Sequence, residues 1–246
     1  MAISKLFPYK DATLYSFYPD MNTGIDAITQ ISNLNIAVDT NPQVARFLTE
    51  FVQEEIKDVI DNKINGAEWD VDFRSFIATA QGIVESTDLE VFPLAQSWFN
   101  GTGTYLDQPL TTDGCSWYSP NFKGSIAWSS SGTDNTNNYV TSSFNPNLVA
   151  AGGGAWYLSG SDGTLYAVTQ SFDTRSTKDL KVNAKVVVDK WYSGSFANNG
   201  FITKWENSVE FNSNLQIQPV MQFYSVDTNT IYPPQLEFKW RDYSSV

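Results

Sequence analysis

Polar and apolar positions along this chain repeat mostly in twos. Leu236, Phe238 and Trp240 alternate with Glu237, Lys239 and Arg241, which sets apolar side chains on one strand face and charges on the other. Leu180, Val182, Ala184, Val186 and Val188 keep the same period and predict another strand. Near the start, Ala12, Leu14, Ser16 and Tyr18 alternate with Thr13, Tyr15 and Phe17, and turn residues from Pro19 to Gly24 end that run. A second strand is expected over Ile28–Val38, with a slip near Ser32 that suits a bulge or loop. Further strands are predicted in DVDFRSFIATAQGI, STDLEVFPLAQSWFNG, LYAVTQSFD, GFITKWENSVEF and IQPVMQFYSVD, with short ones around Ser125–Ser129 and Ala155–Leu158.

One segment departs from the period of two. Val44 to Phe51 suits a strand, but Ile56, Val59, Ile60 and Ile64 then recur at helical spacing. Glu54 and Glu55 near the start and Lys63 near the end complement the helix dipole, and Gly66 is a reasonable stop. A single short helix near residues 53–64 is therefore predicted, on the rim of a sheet structure.

Many strands at short intervals with almost no helix predict an all-β chain, a β-sandwich or jelly roll. Residues 1–246 are read as one domain, with a possible N-terminal arm over residues 1–10. A loop-rich insert spans about residues 100–155, where NGTGTYLDQPLTTDGC, SSSGTDNTNNYVTSS and AAGGGAW are dominated by turn chemistry. It reads as long Gly/Ser/Asn-rich surface loops, and Gly152–Gly154 as a flexible turn.

Composition supports the sheet reading and narrows the function. Aromatic residues make up 15% of the chain, and such side chains suit pleated, half-buried surfaces. The formal charge of −12 argues against nucleic acid as a partner, because phosphate binding needs clustered Lys and Arg. Anionic membrane surfaces are disfavoured for the same reason. The chain has no histidine, which removes the commonest general base and metal ligand. Its one cysteine, Cys115, excludes an intrachain disulfide and a cysteine zinc cluster. The opening residues carry no signal-peptide pattern and no apolar run reaches transmembrane length, so synthesis as a soluble cytosolic chain without membrane insertion is expected.

Three motifs supply interface or ligand candidates. In SWFNGTG, Trp98 suits stacking on a sugar face or burial at a strand end beside the Asn100-Gly101 turn. In IYPPQLEFKW, Tyr232, Pro233 and Pro234 suit an assembly edge or a rigid turn, since proline donates no ladder hydrogen bond. In KWYSGSFANNGFITKW, Trp191 and Trp205 suit an interface or the core, and Asn199-Gly200 suits a tight hairpin. Glu68–Asp72 with Asp11, Asp20 and Asp26 offer oxygens for calcium, but no loop has the spacing of a dedicated site, and solvated carboxylates are the better reading. No acid pair is singled out for hydrolysis, so no catalytic residue, metal or cofactor is expected, and the chain is read as a non-enzyme.

The order of segments also carries a resemblance. It runs through DATLYSFYPDMNTGIDAITQIS, ARFLTEFVQEEI, FRSFIATAQGI, LEVFPLAQSWFNGTG, DGCSWYSP, DLKVNAKVVVDKWYSG, NNGFITKWENSVEF and YSVDTNTIYPPQLEFKW. This series resembles the DNRLRE-type β-sandwich domains, which are similar to carbohydrate-binding modules. It is closer still to virion structural proteins of T4-like cyanophages built on that domain. The namesake motif is missing, and a Gly/Ser/Asn-rich insert stands around residues 129–154. The resemblance implies a structural subunit of a tailed-phage virion, in the neck, collar or tail, made in the host cytoplasm. It would be present in several copies and packed against other virion proteins. The alternative it implies is a glycan-binding module for attachment to the host surface.

Overall fold

The computed structural model describes residues 1–35, 42–83, 86–128, 152–160, 163–173, 175, 178–210 and 219–241. The strands are β1 (Ala2–Leu6), β2 (Pro8–Tyr15), β3 (Ile28–Asn35), β4 (Pro42–Phe51), β5 (Trp69–Ser75) and β6 (Ile77–Gln81), then β7 (Thr87–Pro93), β8 (Val168–Phe172), β9 (Leu180–Asn183), β10 (Phe201–Trp205), β11 (Val220–Tyr224) and β12 (Gln235–Trp240). Helix α1 (Gln53–Asp58) runs on into a π-helical segment (Val59–Ile64), and α2 (Lys185–Tyr192) and α3 (Asn207–Glu210) complete the elements. The fold is an all-β sandwich of two antiparallel sheets. The smaller has the order β1-β12-β5-β9, and the larger runs β6-β11-β3-β4-β10-β7-β8 with β2 also paired to β4.

β4 organises the larger sheet. Ala45 pairs with Tyr15 of β2 and Ser32 of β3, whereas Thr49 pairs with Asp11 of β2 and Phe201 of β10. β2 thus follows one edge of β4 while β3 and β10 share the other in succession. Phe47 and Phe51 point from β4 into the main core, and Val44 and Leu48 point to the opposite face, into a second core. Both faces of this strand are buried, so it has no solvent-facing side, and its polar residues Arg46, Thr49 and Glu50 are themselves buried.

The main core lies between the sheets. Phe73 from the smaller sheet stacks on Phe201 from the larger, with ring centroids 5.0 Å apart. Trp191 of α2 closes on Phe201 at 4.7 Å. The predicted helix near residues 53–64 is present, and its Ile56, Val59, Ile60 and Ile64 all enter this core. On β12, Leu236 and Phe238 are buried as the alternation requires, while Glu237 and Lys239 face outward into an ion-pair ladder with Arg74, Asp72, Lys5 and Lys181.

Several expectations are corrected. The period of two over Leu180–Val188 holds only to Asn183; from Lys185 the chain is helical. Val187, Val188 and Trp191 then form the buried stripe, while Val186 is 44% exposed. DVDFRSFIATAQGI is two strands in different sheets, because the chain crosses at Phe76 from β5 to β6. Ser125–Trp128 is not a strand, and Trp156 makes only an isolated bridge to Leu94. Asn199-Gly200 is not a β-hairpin, since it joins helix α2 to β10. Residues 2–6 of the proposed N-terminal arm form β1, paired along β12. The end of the expected Ile28–Val38 strand and residues 129–151 of the insert lie outside the described residues.

Candidate functional site

The larger sheet has an apolar outer face, and segments 94–128 and 152–157 cover it. Ala12, Leu14, Val44, Leu48, Phe92 and Ile202 from the sheet meet Trp98, Cys115, Trp117, Trp128 and Trp156 from these segments. The described parts of the insert therefore build a third layer with its own core, and are more than surface loop. Burial of such a face is worth roughly 25 cal/mol per Å2 of apolar surface removed from water.

One asparagine locks this layer in place. Asn22, fully buried, donates through Nδ2 to the carbonyls of Asn100 (2.6 Å) and Cys115 (2.9 Å). Its Oδ1 accepts from the amides of Gly103 (2.8 Å) and Gly24 (3.2 Å). The side chain thus does the work of two backbone partners for segments distant in sequence. Close approach explains the glycines of NGTG and DGC: a Cβ at Gly101 would stand 2.6 Å from the Cα of Gly114, and Gly101 has φ +80°. The SWFNGTG motif is therefore a packing device around Asn22.

Beneath the layer lies a buried ion cluster. Arg46 Nε and Nη2 donate to Glu210 Oε1 and Oε2 at 2.8 and 3.0 Å. Lys204 Nζ lies 3.4 Å from Glu210 and donates to Glu90 (3.1 Å), Asn207 (2.9 Å) and the Trp205 carbonyl (2.5 Å). The Arg46 guanidinium sits over the rings of Trp117 and Trp156, at 4.8 and 5.2 Å, and Nη1 donates to the Gly153 carbonyl. The Gly152–Gly154 turn, expected to be flexible, is packed: a Cβ at Gly153 would meet Trp117 and Arg46 at 2.7 Å. Charges this enclosed need mutual pairing, because an isolated one costs several kcal/mol to bury. The cluster is chemically saturated and structural. Sequence reasoning passed over it, although a signal existed: Arg46 stands between Ala45 and Phe47, and Lys204 beside Trp205, in strands rich in apolar residues.

The nominated site residues separate rather than converge. Trp98 is 4% exposed, its Nε1 donates to the Asn199 carbonyl, and Lys10 Nζ lies 4.3 Å from its ring centroid. Trp191 and Trp205 are buried in the main core. Their rings offer no surface to a sugar or a partner, because the sandwich closes over them. Tyr232 is exposed and rests on Phe76 at 5.4 Å, Pro233 is half-buried and Pro234 buried at the entry to β12. The acids considered for calcium lie apart in function: Asp72 binds Lys239 and Lys181, Asp20 binds Lys123, Asp26 accepts from the Tyr105 amide, and Asp11 accepts from the Val226 amide. Among the described residues no group of three His, Cys, Asp or Glu side chains is placed to hold a metal, and no helix is long and apolar enough to cross a membrane.

What the sequence missed is the outer surface of the third layer. Phe99, Phe122 and Ile126 are more than half exposed there, with Tyr105, Leu106, Leu110 and Tyr118 also open to solvent. The backbone beneath them is rigidly cross-tied, from the Phe99 amide to the Pro120 carbonyl and from the Lys123 amide to the Thr112 carbonyl. Tyr105 is braced against Tyr15 at 5.0 Å and Tyr18 at 6.2 Å. Neither a scan against protein-family models nor a search of curated proteins returns a match for this chain.

Proposed function

We propose that this chain is a non-enzymatic structural subunit of a tailed-phage particle, in the neck, collar or tail, which works by packing against neighbouring virion proteins. The observation that carries this reading is the number of exposed large apolar side chains, Phe99, Phe122 and Ile126 foremost, on the pre-organised third layer. Apolar side chains held open on a rigid scaffold mark contact surfaces. The segment-order resemblance points the same way. So does the engagement of the buried acids: Asp11, Glu50, Asp72, Glu210 and Glu237 are each held by a cation or a backbone donor. Several copies per particle follow from symmetric assembly.

The test is incorporation of a Phe99→Asp/Phe122→Asp variant into particles. Retained folding with lost incorporation supports the reading, and immunogold labelling of wild-type particles gives the position. Normal incorporation of the variant, or particles that assemble and infect without the chain, would overturn it. A glycan-binding role in host attachment is the alternative, resting on the exposed Tyr105 and Tyr118, since Trp98, Trp191 and Trp205 are buried. Binding on a glycan array that these tyrosines control would favour it.

A further inference from the structure

A second surface lies where the chain crosses from the smaller sheet to the larger at Phe7. A groove of about 660 Å3 opens there between the β1–β2 crossover and helix α1. Leu6, Pro8, Val52 and Val59 give it an apolar lining, and Phe7 and Tyr9 stand about half exposed at its mouth. Helical spacing sets Glu54, Glu55 and Asp58 along one wall, all exposed. Lys5 and Lys63 stand at the groove too, with Lys63 Nζ bonded to Ser4 Oγ at 3.2 Å.

Alongside runs the open edge of β1. It is the terminal strand of its sheet, and its pairing is with β12 alone among the described residues. Ile3 stands 52% exposed on it. An unpaired edge presents backbone donors and acceptors that template another strand. Where such an edge meets a groove, an extended peptide gains affinity from ladder hydrogen bonds and selectivity from alternate side chains.

We propose that this edge and groove dock an extended segment of another protein, in which apolar and basic residues alternate. The added strand pairs with β1, its apolar side chains enter the groove, and its Lys or Arg side chains meet Glu54, Glu55 and Asp58, displacing the exposed Lys63–Ser4 contact. The charge of the acidic wall selects this partner. A second copy is disfavoured, because each chain carries −12. The inference is independent of the phage reading, since it concerns the isolated protein and different residues.

The probe is a fluorescein-labelled decapeptide of alternating Lys and Val, followed by fluorescence anisotropy on the full chain at low and high salt. Binding is expected that weakens with salt. Glu54→Lys/Glu55→Lys/Asp58→Lys, all surface changes, should weaken it at least about tenfold as attraction becomes repulsion, with an unchanged unfolding midpoint. An alternating Glu–Val peptide and a Lys–Val peptide with proline at every second valine should not bind. Hydrogen exchange should slow at Ala2–Leu6. The proposal is overturned by no binding of the Lys–Val peptide, by equal affinity for the reversed-charge variant, by equal binding of the proline peptide, or by protection at residues other than β1. Salt-dependent binding by wild type keeps the test decisive even if the variant misfolds.

Discussion

Arg46 on β4 and Glu210 at the end of α3 form a two-pronged ion pair, 2.8 and 3.0 Å, with both side chains shut away from water. The pair ties the larger sheet to the segment after β10 under a lid of tryptophans. Removing Arg46 takes from the buried Glu210 its two-pronged partner and leaves the cluster's charges poorly compensated in the interior. Arg46→Ala should therefore destabilise the chain by about 3–5 kcal/mol, whereas Arg46→Met with Glu210→Leu should recover much of that loss. Urea unfolding monitored by tryptophan fluorescence measures both.

Asn22 joins three segments through four hydrogen bonds. Asn22→Ala leaves the Asn100 and Cys115 carbonyls and the Gly24 and Gly103 amides unsatisfied, at a cost of about 2–4 kcal/mol. Cys115 reports the same event locally. It is fully buried, and burial holds its thiol above the ordinary range against the opposing pull of Lys10. Thiol labelling under native conditions should be slow in the wild type and much faster in Asn22→Ala. Equal rates would show that Asn22 does not hold the third layer down.

The helical assignment of Lys185–Tyr192 has a direct test. In a strand, Val186 would share a face with Val188; in the helix it faces solvent and Val187 is buried. Val186→Asp should change stability by no more than about 0.5 kcal/mol. Val187→Asp should cost at least about 3 kcal/mol, as an unpaired carboxylate is forced into the core. Thermal melting of the two variants decides between the geometries.

Asp11 sets a pH dependence. Burial raises its carboxyl from 3.8 to about 7, against the pull of the Val226 amide and Ser225, and Asp227 and Asp26 add to the rise. The folded state thus binds this proton more tightly than the unfolded one. Its contribution to stability is fully present below pH 3.8 and is lost as pH rises towards about 7. Asp11→Asn keeps an acceptor for Val226 and carries no charge. The stability of Asp11→Asn relative to wild type should climb between pH 4 and pH 7 and level off above, as measured by urea midpoints. A difference that stays flat with pH would show that Asp11 does not titrate in this window.

Where one face of an element meets water, the sequence was readable. The helical spacing of Ile56, Val59, Ile60 and Ile64 matched burial in the fold, and Leu236, Phe238 and Trp240 enter the core as their alternation requires, although Glu237 on the other face is also buried, under its ion pairs with Arg74 and Lys239. Leu180–Val188 misled because its valines satisfy a period of two and a helical stripe alike, and only the packing of Trp191 on Phe201 separates them. For the candidate surface, the SWFNGTG motif was visible but its purpose was not. Trp98 looks the same in sequence whether it stacks on a ligand or fills a core.

The amino-acid pattern by itself determined that this is a sheet protein with one early helix, because side-chain periodicity is a local property that solvent on one face imposes. The tertiary structure alone decided that residues 94–128 and 152–157 form a third layer, that Arg46, Glu210 and Lys204 meet beneath it, and that β1 is the last strand of its sheet among the described residues. Those outcomes depend on contacts such as Arg46 to Glu210 and Asn22 to Cys115, between residues far apart in the chain. A strand buried on both faces carries no mark of what covers it, so its partners emerge only when the whole chain has packed.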